Sequence, residues 1–258
     1  MKETVPFTRA IARLPGLDFD RGITSSHLGK PEYGLMIRQH AEYIGALKQS
    51  GIEVILLDPL ADHPDAYFVE DTAVVVPEFA VIANPGAEAR KGEEEPIARI
   101  LSGFRRTVVH VQPPGTLDGG DVLQAGKQFF IGLSGRTNPH GAEQLAGVLG
   151  NHGYSAVTVA VESGLHLKSG VSSIGEDTLL TTESLAGHGA FRKFRRIVLD
   201  PEDGYAANSL WINGTLIMPK GFPRARRKLE AAGFEPVELD VSEARKMDGG
   251  LSCMSIRF

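Results

Sequence analysis

The chain has 258 residues, one cysteine and a formal net charge of −5. This length fits one large domain or two small ones, and because no linker rich in proline, serine or glycine divides it, we predict one domain over residues 1–258. A single cysteine excludes an intrachain disulfide and a multi-cysteine zinc site. The mildly acidic balance, without a long cluster of Lys and Arg, predicts no binding to nucleic acid or to an anionic membrane.

The hydrophobic pattern predicts neither a membrane span nor a secretory signal. The longest apolar runs, such as residues 52–57, are far shorter than the ~20 residues that cross a bilayer. Residues 1–14 carry charges and a proline where a signal peptide would need its apolar stretch. We therefore expect a reduced, cytoplasmic protein.

The first predicted elements are a helix over residues 31–50 and a strand over residues 52–57. Apolar residues recur at helical spacing after Pro31, which suits the first turn of a helix, and Gly51 is a typical stop signal. A β-branched run over residues 72–76 predicts a further strand.

This succession of helix, glycine and strand recurs along the chain. The later helical segments and their strands are 100–104 with 107–112, 142–153 with 156–161 and 224–233 with 235–240, and a hairpin joins 122–124 to 128–133. The period is roughly 45–50 residues with one longer gap, a repeat of pattern and not of residues. It predicts an α/β fold of similar units, arranged either radially or as an open α/β sheet.

Two residues suit nucleophilic and acid–base chemistry. Cys253 follows the glycine-containing stretch 248–250 and has serines nearby. A buried cysteine is usually a small apolar side chain, whereas a nucleophilic thiolate needs a base or a cation to lower its pKa from about 8.5. His166 lies between apolar neighbours in a segment bounded by glycines. It is either a core histidine or the acid/base partner of this cysteine.

Two groups of acidic residues fall beside predicted strands. Glu70 and Asp71 precede the β-branched run, and Asp118 and Asp121 lie in the glycine-rich stretch TLDGGD. Polar turns are the ordinary explanation for both groups, but carboxylates at a buried strand end favour a nearby cation. We favour a guanidinium over a metal ion, since the acidic residues from Asp62 onward match no calcium loop.

Two arginines are candidates for binding an acidic ligand. Arg90 and Arg136 both follow strand-like segments through turns that contain glycine. Most surface arginines are only solvated, but two at strand ends suit a ligand carboxylate. The sequence contains neither a Walker loop nor the glycine fingerprint of dinucleotide-binding folds.

Eight stretches occur in an order that resembles the dimethylarginine dimethylaminohydrolase family. They are GITSSHLG (22–29), FVED (68–71), PGAE (85–88), TLDGGDVL (116–123), residues 132–137, GLHLK (164–168), AAN (206–208) and residues 248–255. Any one of them is modest evidence, but eight in order over residues 8–258 are very specific.

The resemblance implies the pentein fold, a five-bladed α/β propeller with pseudo-fivefold symmetry, which agrees with the radial alternative. It also implies hydrolysis of asymmetric dimethylarginine or monomethylarginine to citrulline plus dimethylamine or methylamine, with no metal and no cofactor. The expected partner is therefore a small methylated arginine, and a homodimer is an expectation from the fold alone.

The resemblance also implies the roles of individual residues. Cys253 matches the nucleophile, His166 the general acid/base and Asp118 the third catalytic carboxylate. The matching substrate contacts are Glu70 and Asp71 at the guanidinium, Arg90 and Arg136 at the carboxylate, Asp65 with backbone groups of Ile23 and Met247 at the α-amino group, and Phe68 as an aromatic wall. Ile23 stands where leucine is common, a change that a backbone contact tolerates.

Several alternatives are open at this point. Arginine deiminases share the fold but contain a helical insertion for which 258 residues leave no room, and agmatine deiminases typically carry His where this chain has Ser252. A relative acting on another guanidino or ureido amino acid would differ only around the distal nitrogen. A silent protein that binds arginine-like ligands would have no need of Cys253 and His166.

Overall fold

The repeated unit of the fold is a three-stranded sheet with one helix. The computed structural model describes residues 6–175 and 177–258, and their strands form five such sheets. In each sheet the middle strand pairs antiparallel with the inner strand and parallel with the outer strand. Along the chain, the helix of each unit follows the middle strand and precedes the outer strand, since two parallel strands need a crossover connection.

The bounds of the elements are as follows. The strands are β1 (Arg9–Arg13), β2 (Glu53–Leu57), β3 (Ala73–Val75), β4 (Phe79–Ile82), β5 (Thr107–His110), β6 (Val122–Ala125), β7 (Gln128–Leu133), β8 (Ser155–Ala160), β9 (Val171–Ser173), β10 (Thr178–Thr182), β11 (Arg195–Leu199), β12 (Leu210–Ile212), β13 (Thr215–Pro219), β14 (Val237–Leu239) and β15 (Ile256–Arg257). The helices are α1 (Tyr33–Gln49), α2 (Glu94–Leu101), α3 (Pro139–Asn151), α4 (Glu183–Ala186), α5 (Pro223–Ala231) and α6 (Ser242–Lys246).

The five sheets are arranged around their inner strands. The sheets are β15–β1–β2, β3–β4–β5, β6–β7–β8, β9–β10–β11 and β12–β13–β14. Inner strand β15 contacts β3, β6 contacts β9, and β9 contacts β12. The radial alternative is therefore confirmed, and the open-sheet alternative is wrong because each sheet ends after three strands.

The first unit combines strands from opposite ends of the described chain. Ala10 and Ile11 of β1 pair with Arg257 and Ile256 of β15. The amide of Arg9 also donates to the carbonyl of Phe258 over 2.8 Å. This pairing closes the ring of five units, and it places the segment just before β15 at the centre of the molecule.

The helix predicted over residues 31–50 is α1, and the glycine stop is confirmed. Gly51 follows the helix with φ +83°, a conformation that favours glycine. Pro31 lies before the helix and not in its first turn, because α1 begins at Tyr33. The preceding backbone amide, that of Glu32, donates to the Glu243 carboxylate over 2.6 Å.

Two later predictions need correction. The helical segment placed at residues 100–104 is α2, which begins at Glu94, where acidic residues and Pro96 suit a first turn. The longer gap in the repeat contains the fourth unit, whose α4 is only four residues long and so gives no periodic apolar pattern. Among the described helices, none is long and apolar enough to cross a membrane.

The closing strand provides a test of the fold. Ile256 is 4% exposed and pairs with β1, so Ile256→Ala is expected to lower the free energy of unfolding by about 2–5 kcal/mol. Leu56, on the outer strand of the same unit, is 45% exposed, and Leu56→Ala should change stability by less than about 0.5 kcal/mol. Urea unfolding of both variants measures the difference, and equal stabilities would contradict the contribution of β15.

Candidate active site

The turns that precede the inner strands carry the three predicted catalytic residues and the acidic pair of Glu70 and Asp71. Four of these turns are short 3-10 helices, at Val69–Thr72, Gly119–Asp121, Leu167–Ser169 and Pro201–Ala207, and the fifth covers residues 251–254. In chain order they contain or adjoin Glu70 and Asp71, Asp118, His166, Asn208 and Cys253. Because the inner strands surround one centre, the turns converge at one end of the ring.

One pocket brings together ten of the eleven predicted residues. It is lined by Ile23, Asp65, Phe68, Glu70, Asp71, Arg90, Arg136, His166, Met247 and Cys253. The eleventh residue, Asp118, is fully buried behind His166. The structure therefore places all of them at one site, while the individual roles stay predictions.

Two carboxylates hold the imidazole of His166. Its Nε2 lies 3.0 Å from Oδ2 of Asp118 and 3.9 Å from Oδ1 of Asp71. Asp118 is fixed in turn, since its Oδ1 accepts the amide of Gly86 over 2.9 Å and its own amide donates to Thr137 Oγ1 over 3.1 Å. The ring orientation is thus set by groups that are themselves hydrogen-bonded.

The charge on His166 follows from this arrangement. Burial by itself lowers the pKa of an imidazole, but the carboxylates of Asp71, Asp118 and Asp121 outweigh burial and raise the pKa of His166 to about 9. The ring is protonated at neutral pH and can give a proton to a leaving group.

Asp71 presents a negative charge to the pocket. Its Oδ1 accepts the amide of Gly120 over 2.8 Å, and its Oδ2 accepts Nη1 of Arg90 over 2.5 Å. Burial opposes ionisation, yet the charges of His166 and Arg90 lower the pKa of Asp71 to about 2. The carboxylate is therefore ionised and suited to a cationic ligand.

The Cys253 thiol, unlike the Asp71 carboxyl group, favours its protonated form. The residue is half-buried in the pocket, and its carbonyl accepts the amide of Glu70 over 3.1 Å. Burial, together with the charges of Glu70 and Asp71, raises the pKa of Cys253 to about 12. The thiol of the free protein is therefore protonated at neutral pH.

Glu70 has partners that the sequence did not indicate. Its Oε1 lies 2.7 Å from Lys168 Nζ and 2.6 Å from Arg257 Nη2, and its Oε2 accepts the hydroxyl of Ser252 over 2.7 Å. Burial opposes ionisation, but the two cations lower the pKa of Glu70. These contacts direct Glu70 to the turn of Cys253, and its expected contact with a guanidinium stays a prediction.

Asn208 connects the turn of His166 to the turn of Cys253. Its Nδ2 donates to the carbonyl of Lys168 and to Oγ of Ser252, each over 3.0 Å, and its Oδ1 accepts the amide of Ser252 over 2.9 Å. Sequence reasoning gave roles to neither Lys168 nor Asn208. The available signal was their place inside the stretches GLHLK and AAN.

The two arginines predicted to bind a carboxylate differ in how many of their N–H donors are already engaged. Arg90 is buried, with Nε and Nη2 directed at Glu93 and a further Nη2 contact of 3.0 Å to the carbonyl of Phe68. Arg136 makes a looser approach, 3.9 Å from Nη1 to Oδ2 of Asp118. Arg136 therefore has more donors available for a ligand carboxylate.

The predicted α-amino subsite centres on Asp65. Its Oδ2 accepts the amide of Ile23 over 2.9 Å. Burial raises the pKa of Asp65, against the opposing effect of this hydrogen bond. Phe68 forms the adjoining wall and packs so closely that a Cβ on Gly249 would lie 2.1 Å from its ring. Met247 is buried at the same side of the pocket.

A group of possible metal ligands coincides with His166 and the carboxylates that surround it. Donor atoms of Asp71, Asp118 and His166 lie within 4.8 Å of one another. Both oxygens of Asp71 already accept hydrogen bonds from Arg90 and Gly120, and Asp118 is bonded to His166. These contacts favour an imidazolium held by carboxylates as the organising cation.

Five α/β units around a pocket with a cysteine, a histidine and carboxylates define a pentein-fold protein. A family model described as N,N dimethylarginine dimethylhydrolase, eukaryotic, matches residues 32–199. The N(G),N(G)-dimethylarginine dimethylaminohydrolase of Pseudomonas aeruginosa is 42% identical over 98% of this chain and 100% of its own length. That of Streptomyces coelicolor is 35% identical over 98% of each. The chain belongs to the dimethylarginine dimethylaminohydrolase family.

Solved structures agree with this assignment. The Pseudomonas aeruginosa enzyme, as a cysteine-to-serine mutant complexed with citrulline, has a TM-score of 0.96 at 41% identity and covers 98% of this chain and 100% of that one. A dimethylarginine dimethylaminohydrolase carrying a histidine-to-glycine substitution, as an adduct with S-methyl-L-thiocitrulline, gives a TM-score of 0.95 at 42% identity, with the same coverage. The N-terminal domain of the cyanobacterial arginine dihydrolase ArgZ is 20% identical with a TM-score of 0.86 over 96% of this chain and 97% of that one, which shows the shared fold alone.

Close contact at Gly120 provides a test of the site. A Cβ there would lie 2.6 Å from Oδ1 of Asp71 and 2.7 Å from Nδ1 of His166. Gly120→Ala is therefore expected to lower kcat on dimethylarginine about 100-fold, since a displacement near 1 Å is enough. The matched control is Gly147→Ala on α3, where a Cβ would meet nothing within 4 Å. A parent-like kcat in Gly120→Ala would show that the close packing of Asp71 and His166 against Gly120 is unimportant for the reaction.

Proposed function

We propose that the protein hydrolyses asymmetric dimethylarginine and monomethylarginine to citrulline plus dimethylamine or methylamine. The observation that carries the proposal is one pocket in which Cys253, protonated His166 and ionised Asp71 meet. The citrulline complex and the thiocitrulline adduct of the related structures support this class of substrate.

Recognition has to overcome the low reactivity of the guanidinium carbon, whose charge is delocalised. Asp71 holds the cation and directs its carbon toward Cys253, and positioning of this kind lowers a barrier substantially. At the other end of the substrate, Arg136 with Arg90 takes the carboxylate and Asp65 takes the α-amino group. Both ends of the amino acid are then fixed.

The first half of the reaction forms a covalent intermediate. When substrate binds, the Cys253 thiol releases its proton to solvent, because the positive charges of the substrate and of His166 stabilise the thiolate. The thiolate then attacks the guanidinium carbon and forms an S–C bond. His166 protonates the nitrogen that carries the methyl groups, and the C–N bond breaks to release dimethylamine. An S-alkylthiouronium group remains on Cys253.

The second half restores the enzyme. His166, now neutral, removes a proton from water while the oxygen bonds to the same carbon. The S–C bond then breaks while the proton of the new hydroxyl passes to the departing sulfur, so citrulline leaves and the resting thiol of Cys253 is restored. The proton released in the first step is taken up by dimethylamine in solution. The sum consumes one substrate and one water, and needs no cofactor. The cytoplasmic location, the single domain and the homodimer stay predictions.

An end-point assay tests the reaction. Purified protein is incubated in parallel with asymmetric dimethylarginine, monomethylarginine, arginine and agmatine, each beside Cys253→Ala. We expect citrulline and dimethylamine from the first substrate and none from the variant, because the variant lacks the nucleophile. Ammonia from arginine or agmatine alone would assign a deiminase instead, and tight arginine binding without product would revive the silent binding protein.

Thiol titration tests how the nucleophile is generated. Because burial and two carboxylates raise the pKa of Cys253, we expect the free protein to titrate well above the ordinary thiol pKa of about 8.5. An unreactive cationic analogue of the substrate should lower that pKa by at least about one unit, since it places a positive charge beside the sulfur. The thiolate absorbance, with Cys253→Ala subtracted, gives both values. A thiolate already formed at neutral pH without the analogue would refute this expectation.

A further inference from the structure

Asp121 is a buried carboxylate that the mechanism above does not use. It ends the turn before β6, is 0% exposed and does not line the pocket. Burying a carboxylate is costly unless its oxygens are hydrogen-bonded. Its partners therefore indicate what it does.

The two oxygens of Asp121 reach two different turns of the site. Oδ1 accepts the backbone amide of Leu167, the residue after His166, over 2.9 Å. Oδ2 accepts the hydroxyl of Ser134 over 2.6 Å. The oxygen of that hydroxyl in turn accepts the backbone amides of Arg136 over 3.0 Å and of Thr137 over 3.2 Å. Asp121 thus lies between the proton-transfer residue and the arginine expected to bind the substrate carboxylate.

The hydrogen bonds also fix the charge of Asp121. Both lone pairs of the Ser134 hydroxyl are taken by amides, so its own proton is directed to Asp121, and an amide such as that of Leu167 only donates. Both oxygens of Asp121 are acceptors, which describes a carboxylate. Asparagine has the same shape, but its NH2 group would face either an N–H or a hydroxyl with no free lone pair.

We propose that Asp121 is a positioning residue that fixes the turn of His166 and the turn of Arg136 relative to each other. Binding of the substrate carboxylate by Arg136 and proton transfer by His166 then both depend on Asp121. Loss of Asp121 disturbs kcat through His166 and KM through Arg136. This inference rests on the proposed function wherever activity is the readout.

Kinetics of matched variants separate the contact with the His166 turn from the contact with the Arg136 turn. Asp121→Asn is expected to lower kcat about 10- to 100-fold and to raise KM for dimethylarginine, since it releases both turns. Ser134→Ala releases only the turn of Arg136, so KM should rise while kcat stays near that of the parent. The control is Asp203→Asn, another buried carboxylate in a turn before an inner strand, which pairs with Arg224 over 3.3 Å and should leave both constants unchanged.

A spectroscopic readout does not depend on activity. The carboxylates of Asp71 and Asp118 face the His166 ring, and Asp121 adds a third negative charge nearby. These charges outweigh burial and raise the pKa of His166 to about 9. Asp121→Asn removes one negative charge, so NMR titration of the imidazole should give a lower pKa, whereas Asp203→Asn should not change it. A parent-like pKa in Asp121→Asn would show that Asp121 is not a charged neighbour of the imidazole.

The outcomes separate failure of the proposed function from failure of the role of Asp121. Parent-like kcat, KM and His166 pKa in folded Asp121→Asn would overturn the role of Asp121. A lowered His166 pKa in a protein whose parent form does not hydrolyse dimethylarginine would refute the proposed function and keep Asp121 as a charged neighbour of His166. If circular dichroism shows that Asp121→Asn is unfolded, the KM of Ser134→Ala tests the proposal instead. An unchanged KM in Ser134→Ala would overturn it.

Discussion

Pairing of β15 with β1 is the contact on which the geometry of the pocket depends. In four units the site turn leads into an inner strand that pairs with the next strand along the chain, whereas the turn of Cys253 leads into β15, whose partner β1 lies near the other end of the described chain. Arg257 makes the dependence direct, because the same guanidinium that lies in β15 holds the carbonyl of Ser252 and the carboxylate of Glu70. Closure of the fold and placement of Cys253 therefore depend on the same contacts.

The pocket also shows how buried charge can be kept and used. Asp71, Glu70 and Asp121 each have both oxygens engaged by fixed donors, so none is left unpaired by burial. A carboxylate held in this way retains its charge in a poorly solvated place, where it acts strongly on a cation. The same charges that attract a guanidinium keep His166 protonated and oppose ionisation of Cys253.

Local signals in the sequence were sufficient for α1 and for the motifs, and insufficient for the contacts between them. The helix α1 is long enough to show its apolar period and ends at a glycine, whereas α4 has a single turn and conceals the fourth unit. Glu70 could be recognised as a site residue from its motif, but its contact with Arg257 spans 187 residues. No local pattern specifies such a pair, which exists only because the ring closes.

The high pKa of Cys253 has a consequence for the lifetime of the enzyme. Peroxide and other oxidants attack the thiolate, and a thiol that stays protonated reacts slowly along the path to sulfenic and sulfinic acid. Burial and the nearby carboxylates, which hold Cys253 in its protonated form, therefore also protect it between turnovers. Thiolate character, which both oxidants and substrate require, then depends on an arriving positive charge, so Cys253 is protected from oxidants at rest.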